Sequence, residues 1–153
     1  MKQIVLQQIN KDNFIDAFNL KLGDRQERFV SHPIRSLAQA YVYYHQCTPF
    51  GIFYGEQMVG YVMVIYDYDL EEYNIWHMMI DIAYQHQGFG ALALGKCLDY
   101  IVTKPFGESN KVVLTCNKDN VAGLHLYHKF GCDMLPPLKS KIMKWGLPVQ
   151  CLS

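Results

Sequence analysis

The chain has 153 residues, half of them apolar and 18% charged, and its 14 Lys plus Arg balance 14 Asp plus Glu; that suits a single globular domain over 1–153 and argues against disorder and against a nucleic-acid partner, which calls for a basic excess. No run approaches the ~20 apolar residues that span a bilayer, and the amino terminus lacks a signal-peptide core, so no membrane association is expected. Cys47, Cys97, Cys116, Cys132 and Cys151 are odd in number and lack a CxxC pair, which fits reduced thiols in a cytoplasmic protein better than a disulfide framework or a zinc site.

Residues 2–8 read as a first strand. Phe14, Ala17, Phe18 and Leu22 recur at helical spacing, with Gly23 as a stop. Beyond Pro33, Ser36 reads as the cap of a second helix through about residue 45, and Pro49 closes that segment. Residues 50–54 and 58–66 flank the turn Gly55-Glu56-Gln57 as a hairpin. A charged turn at 67–72 precedes a strand over 73–82. The loop 85–90 then enters a helix with Leu94, Leu98, Ile101 and Val102 on one face. A strand at 111–116, a helix from about 120 to 130 stopped by Gly131, and a last strand at 142–147 complete the chain. The order β-α-α-β-β-β-α-β-α-β, without repeats, predicts an α/β fold with a mixed sheet covered by helices.

The stretch Ala83-Tyr84-Gln85-His86-Gln87-Gly88-Phe89-Gly90-Ala91-Leu92 takes a strand through a short loop straight into a helix. Backbone N–H groups at such a helix start lack intrahelical partners and point outward with the positive end of the dipole, an anion site suited to a pyrophosphate. Gly88 and Gly90 let an anion approach the backbone closely, although taken alone the pair reads first as a tight turn. The loop follows a meander of strands rather than opening a βαβ unit, and no GK[ST] follows, so it is neither a dinucleotide-binding loop nor a P-loop.

A second motif, Asn120-x₅-Leu126-Tyr127-x-Lys129-x-Gly131, follows a Val- and Leu-rich strand. Together with Gln85-x-x-Gly88-x-Gly90 it resembles the GNAT superfamily of N-acetyltransferases. Pro49-Phe50-Gly51-Ile52-Phe53-Tyr54 and Met58-Val59-Gly60-Tyr61-Val62 are similar to that family's second and third strands. Ile75-Trp76-His77-Met78-Met79-Ile80-Asp81 is similar to its fourth, in a form like that of bacterial spermine/spermidine acetyltransferases. The resemblance covers roughly residues 36–132. It implies a mostly antiparallel sheet split between its fourth and fifth strands, where the pantetheine arm of acetyl-CoA inserts against Met78, Met79 and Ile80. It implies that backbone amides of Gln85, His86, Gln87, Gly88, Phe89, Gly90 and Ala91 hold the pyrophosphate, that Asn120 contacts the cofactor near the thioester, and that no metal is used. Asn120 also reads as a helix N-cap. The implied reaction is direct acetyl transfer, through a ternary complex, to a primary amine of a small molecule such as a polyamine or diamine. A homodimer is a candidate assembly, being common among similar proteins.

By the same resemblance Tyr127 is the general acid. The departing thiolate resembles a thiol with a pKa of about 8.5 against about 10 for a phenol, so a tyrosine hydroxyl can protonate the sulfur without itself being ionised at neutral pH. Where some relatives carry a glutamate base, this chain has Trp76. Its neighbour His77 is a candidate base, although strand alternation aims it at the face opposite Trp76. Asp67, Asp69, Glu71 and Glu72 read as a solvated turn, and Asp24 and Glu27 fall where the family's early loop lines the acceptor site. His125 and His128 share a helix spacing without a third ligand, which reads as helix surface. Two alternatives stand beside this reading: an aminoglycoside or peptide amine as acceptor, and a CoA-binding module without catalysis, motivated by the missing glutamate.

Overall fold

A computed structural model describes residues 2–24, 31–109, 111–117, 119–131, 133–134 and 142–148. The elements are β1 (Val5–Gln8), α1 (Phe14–Asn19), α2 (Pro33–Val42), β2 (Cys47–Tyr54), β3 (Gln57–Asp67), β4 (Glu72–Ile80), a 3-10 turn (Ile82–Tyr84), α3 (Phe89–Val102), β5 (Lys111–Asn117), α4 (Val121–Lys129), β6 (Asp133–Met134) and β7 (Ile142–Pro148). They form a seven-stranded sheet in the order β1-β2-β3-β4-β5-β7-β6. Every pairing is antiparallel except β4 with β5. The mixed, mostly antiparallel α/β sheet expected from the sequence is therefore present, with the short β6 as an addition.

Three boundaries differ from expectation for local reasons. Helix α2 starts at Pro33, with His32 as its N-cap: the His32 ring accepts a hydrogen bond from Ile34 N at 3.2 Å. A proline is tolerated there because its missing N–H would have had no intrahelical acceptor. Ser36 is consequently no cap but a fully buried residue of the first turns. Strand β2 begins at Cys47 and runs through Pro49, whose carbonyl accepts from Ile9 N at 2.9 Å. Its absent N–H faces the same side, past the last β1–β2 pair, Gln8 with Phe50, so the proline interrupts no bond in the interior of the ladder. Strand β4 stops at Ile80 rather than 82, because the Asp81 carboxylate accepts from Ala83 N at 2.9 Å and from Lys21 N at 2.8 Å and turns the chain.

The sheet has a hydrophobic core on each face. Val59, Val62, Val64, Tyr73, Ile75, Val112 and Leu114 pack with Phe89, Leu94, Leu98 and Tyr127 of α3 and α4. On the other face Tyr61, Met63, Ile65 and Met79 pack with Ala17 and Ala40 of α1 and α2. Burial of these apolar side chains, each favourable by about 1.5–3 kcal/mol, pins the register of both faces.

Two features of β4 position the site. First, it pairs with β5 only at Tyr73–Val112, Asn74–Val113 and Ile75–Leu114, after which the strands part. Second, Tyr61 pairs with Met79 and Met63 with Trp76, so His77 and Met78 together oppose Val62. This is a β-bulge, with the extra residue His77 at φ 56°. The bulge resets the alternation: Met78 and Ile80 pack toward the α3/α4 core and Met79 toward the α1/α2 core. Gly60 lies opposite Ile80 in this region, and a Cβ there would stand 2.5 Å from the Met79 carbonyl oxygen.

Candidate active site

The site is assembled where β4 leaves β5. Asp81 N donates to Val59 O at 2.9 Å, so Gly60 and Ile80 are a non-hydrogen-bonded pair and Ile80 turns its peptide groups away from β3, toward the gap. The Ile80 carbonyl there accepts from Gln85 Nε2 at 3.0 Å, which fastens the start of the loop to the end of the strand. The loop then needs two left-handed residues, His86 at φ 59° and Gly88 at φ 87°. Gly88 is the α3 N-cap and offers no side chain to the helix. The first helical amide bonded back to it is Leu92 N to Gly88 O at 3.3 Å; the amides of Phe89, Gly90 and Ala91 precede it and have no intrahelical acceptor. A Cβ built at Gly88 meets nothing within 4 Å, and one at Gly90 meets only Leu126 Cδ2 at 3.8 Å. Open space thus lies in front of the amides.

That space is a cleft of about 380 Å³ walled by Met78, Met79 and Ile80 of β4, by the loop and α3 start, and by α4. It brings together all but one of the site residues expected from sequence: Met78, Met79, Ile80, Gln85, His86, Gly88, Phe89, Gly90, Ala91, Asn120 and Tyr127. Gln87 is the exception. It points outward, its side-chain oxygen accepting from Lys2 Nζ at 3.0 Å, because the two left-handed residues beside it rotate it off the cleft side. Met79 reaches the cleft although its side chain is buried in the opposite core. Tyr127 sits on α4 at the edge of the α3/α4 core, buried. Asn120 is the α4 N-cap, its side-chain oxygen accepting from Gly123 N at 3.1 Å.

Several cleft residues were missed. Tyr84, Ala122, Gly123, His125, Leu126 and Lys129 also line it. Those on α4 were legible as neighbours of Tyr127 within one motif at helical spacing. Lys2 carries no sequence signal. It reaches the loop only through the fold, where its ammonium stands 4.8 Å from the centre of the Phe89 ring.

On the other face the bulge corrects one expectation. His77 does not point away from Trp76; both turn toward the α1/α2 side, their ring centres 5.7 Å apart, because the extra residue breaks the alternation. His77 Nδ1 lies 2.7 Å from Ser36 Oγ, which lies 2.9 Å from the Tyr61 hydroxyl and 3.9 Å from Met63 Sδ. Burial, and then the nearby Arg35 cation, push the His77 ring below the usual histidine range. A depression of about 330 Å³ on this face is lined in part by Trp76, Tyr43, Asp67 and Glu72. Glu72 is buried and paired with Lys111 at 3.1 Å, and Asp67 accepts from Asp69 N and Leu70 N at 2.9 Å each. Asp69, Glu71 and Asp24 are exposed, and Glu27 lies outside the described residues. His125 and His128 are exposed on α4, and among the described residues no cluster of three His, Cys, Asp or Glu is arranged to hold a metal.

Residues 11–132, which include the parted strands and the loop that opens α3, match the Acetyltransferase (GNAT) family. The chain belongs to that family. As a GNAT member it is an acyltransferase. No curated sequence matches it significantly, but its fold is shared with solved structures. The spermidine N-acetyltransferase of Vibrio cholerae in complex with CoA and spermine is similar at 17% identity, TM-score 0.73, over 98% of each chain. The ribosomal-protein-S18-alanine N-acetyltransferase of Escherichia coli is similar at 16% identity, TM-score 0.71, over 96% of this chain and 94% of that one. The Salmonella typhimurium enzyme that modifies the N-terminal serine of ribosomal protein L7/L12 is similar at 12% identity, TM-score 0.72, over 95% and 94%. Among the described residues of the GNAT chain, no helix is long and apolar enough to cross a membrane.

Proposed function

We propose that this chain transfers the acetyl group of acetyl-CoA directly to a primary amine of a small molecule, a polyamine or diamine. The observation that carries the reading is the cleft, in which parted strands, outward amides and a buried tyrosine converge. Amides of Phe89, Gly90 and Ala91 hold the pyrophosphate at the positive end of α3. Met78 and Ile80 pair with the pantetheine arm in the gap, Ile80 through its N–H since its carbonyl is engaged by Gln85. Asn120 holds the start of α4 in place and so aims Tyr127, whose hydroxyl donates a proton to the departing sulfur.

Direct transfer is supported by the state of the described thiols. Burial pushes Cys97 up to about 12 and raises Cys47 as well, so neither is a ready nucleophile. Both are free, in keeping with a reducing, cytoplasmic setting. The cationic acceptor is supported by the depression beside Trp76, which Tyr43, Trp76 and Asp67 line with aromatic and carboxylate groups of the kinds that suit an ammonium, and by the spermine in the Vibrio cholerae complex.

Thermal unfolding tests the first half of this reading. Acetyl-CoA at a hundredfold excess over its dissociation constant should add about 2.7 kcal/mol of stability, whereas NAD and ATP should add little. No shift at saturating acetyl-CoA would remove the basis of the proposal. CoA release measured over polyamines, aminoglycosides and peptides tests the acceptor. Turnover confined to peptides would reassign it.

A further inference from the structure

We propose that Lys2 is a positioning residue for the cofactor loop: its ammonium holds the Gln87–Gly88 peptide in the orientation that turns the Gly88 N–H toward the pyrophosphate. The inference deepens the transferase reading above and rests on it.

Strand periodicity delivers Lys2 to the loop. Ile4 is buried in the α3/α4 core with Phe89, and Leu6 packs against the same cluster. Side chains two apart on an extended chain share a face, so Lys2 emerges on that side too, where α3 begins. There its Nζ makes three contacts. It donates to Gln87 Oε1 at 3.0 Å and to the Gln87 carbonyl oxygen at 3.4 Å, and it stands 4.8 Å from the centre of the Phe89 ring. Phe89 is buried between Tyr54 and Tyr84, whose ring centres lie 5.2 and 6.3 Å from its own, so the cation rests on a fixed platform. The Gln87 side chain is held from its other end, its Nε2 donating to Ala83 O at 3.4 Å. One exposed cation thus ties the segment before β1 to the loop and to the first residue of α3.

Gly88 is the reason the loop needs such a restraint. It sits at φ 87°, ψ 3°, close to the values of the third residue of a type II turn, about +80° and 0°. The corresponding type I values, about −90° and 0°, differ mainly by a rotation of the preceding peptide plane. Most residues strongly prefer the second set, whereas glycine enters both. The Gln87–Gly88 peptide is therefore the place where the loop can flip, and a flip exchanges a carbonyl oxygen for an N–H. The peptide is planar and trans, so these two groups point in opposite directions. Gly88 lines the cleft, and neither Gln87 nor Lys2 does. A Gln87 carbonyl drawn toward Lys2 hence sends the Gly88 N–H to the cleft side, beside the amides of Phe89, Gly90 and Ala91. Among the described residues that N–H has no acceptor. In the flipped form a carbonyl oxygen would face the anion instead and oppose the attraction of the helix start.

Lys2→Met keeps the length of the side chain and removes its charge and its donors. The dissociation constant of acetyl-CoA, read by titration calorimetry, should rise ~3–10-fold, as expected when one exposed cation–π contact and one charge-assisted hydrogen bond are lost. Three readouts separate positioning from a general structural role. Urea unfolding of the free protein should match the parent, since Lys2 is exposed. At saturating acetyl-CoA kcat should also match, which confines the defect to KM for the cofactor. Lys2→Arg, which keeps a cation with donors, should restore the parental constant. S-acetylpantetheine has the thioester and the arm but no pyrophosphate, so its KM should be the same with Lys2→Met as with the parent. The affinity ratio should persist at ~1 M salt, where the screening length is about 3 Å and a cation acting only from a distance is silenced. Parental affinity in Lys2→Met, a ratio that vanishes at high salt, an equal loss with S-acetylpantetheine, or unfolding that weakens in step with affinity would each overturn the proposal and leave acetyl transfer standing. Failure of acetyl-CoA binding in the parent would instead strike the transferase reading.

Discussion

Between Tyr73 and Ile75, β4 is hydrogen-bonded on both edges, to β3 and to β5, whereas from Trp76 to Ile80 it is bonded to β3 alone. The first stretch behaves as core. Tyr73 and Ile75 are buried, and the Tyr73 hydroxyl is held by Gly107 O at 2.8 Å and Phe106 N at 3.0 Å. The second stretch has Trp76, His77, Met78 and Ile80 only partly covered, and its peptide groups face a gap. One strand thus serves as structure and as site wall. The switch between the two roles is a single extra residue, His77, which with Met78 opposes Val62. A bulge lets a sheet open locally without losing the register that its buried faces impose.

The largest effect should come from the open half. Tyr127→Phe keeps the ring and removes one oxygen. If the hydroxyl protonates the departing sulfur, kcat falls by roughly 10²–10⁴ while acetyl-CoA binding stays nearly intact. That corresponds to about 3 kcal/mol or more in activation free energy, well outside kinetic error. Steady-state kinetics with the preferred amine decide it: a near-parental kcat would make Tyr127 a core residue and nothing more.

The next effect should fall at the far end of the open half, where Gly60 faces Ile80. In Gly60→Ala the new Cβ would stand 2.5 Å from Met79 O and 2.9 Å from Ile80 Cδ1. The first neighbour is backbone and cannot swing aside, so β4 must shift. Overpacking of this kind costs about 1–3 kcal/mol, and each kcal/mol lowers the melting temperature by roughly 2–4 °C in a domain of this size. Urea unfolding gives the loss directly, and an unchanged midpoint would mean that β4 moves freely at the bulge.

The closed half was easier to read in the sequence than the open one. Apolar runs and turn residues placed β3, β4 and β5 within a residue or two, since burial on both faces leaves a long hydrophobic signature. The motifs around Gly88 and Tyr127 carried the cleft, because its glycine loop and its α4 wall are each local in sequence. What escaped was non-local or subtractive. Ser36 looked like a cap, yet its partners His77 and Tyr61 lie 41 and 25 residues away. The bulge at His77 and Met78 shows only in the pairing of β4 with β3, so alternation alone misaimed His77. Pro33 was read as preceding the helix when it was the first residue of α2, and Lys2 found the loop only through β1. Side-chain chemistry is local, but which face a residue serves is decided by pairing that no short window contains.

The smallest and most discriminating effects come from the two loop glycines, whose roles the structure separates. Gly88 needs φ 87°, which a Cβ disfavours whatever the surrounding space. Gly88→Ala should therefore cost about 1–2 kcal/mol of folding stability and cannot cleanly report on binding. Gly90 lies inside α3 with ordinary helical backbone, and an added Cβ would touch only Leu126 Cδ2 at 3.8 Å. Gly90→Ala should therefore unfold within ~0.5 kcal/mol of the parent, or slightly later, since alanine is the better helix former. Yet its methyl would stand where a phosphate must come close to the amides of Phe89, Gly90 and Ala91. A tenfold loss of acetyl-CoA affinity, about 1.4 kcal/mol, with no loss of stability would separate anion approach from turn geometry. Titration calorimetry beside thermal unfolding reads both quantities on one sample. Equal affinity in the parent and Gly90→Ala would mean that the pyrophosphate does not come close to this turn of the helix, and would reduce the glycine pair to the single conformational requirement at Gly88.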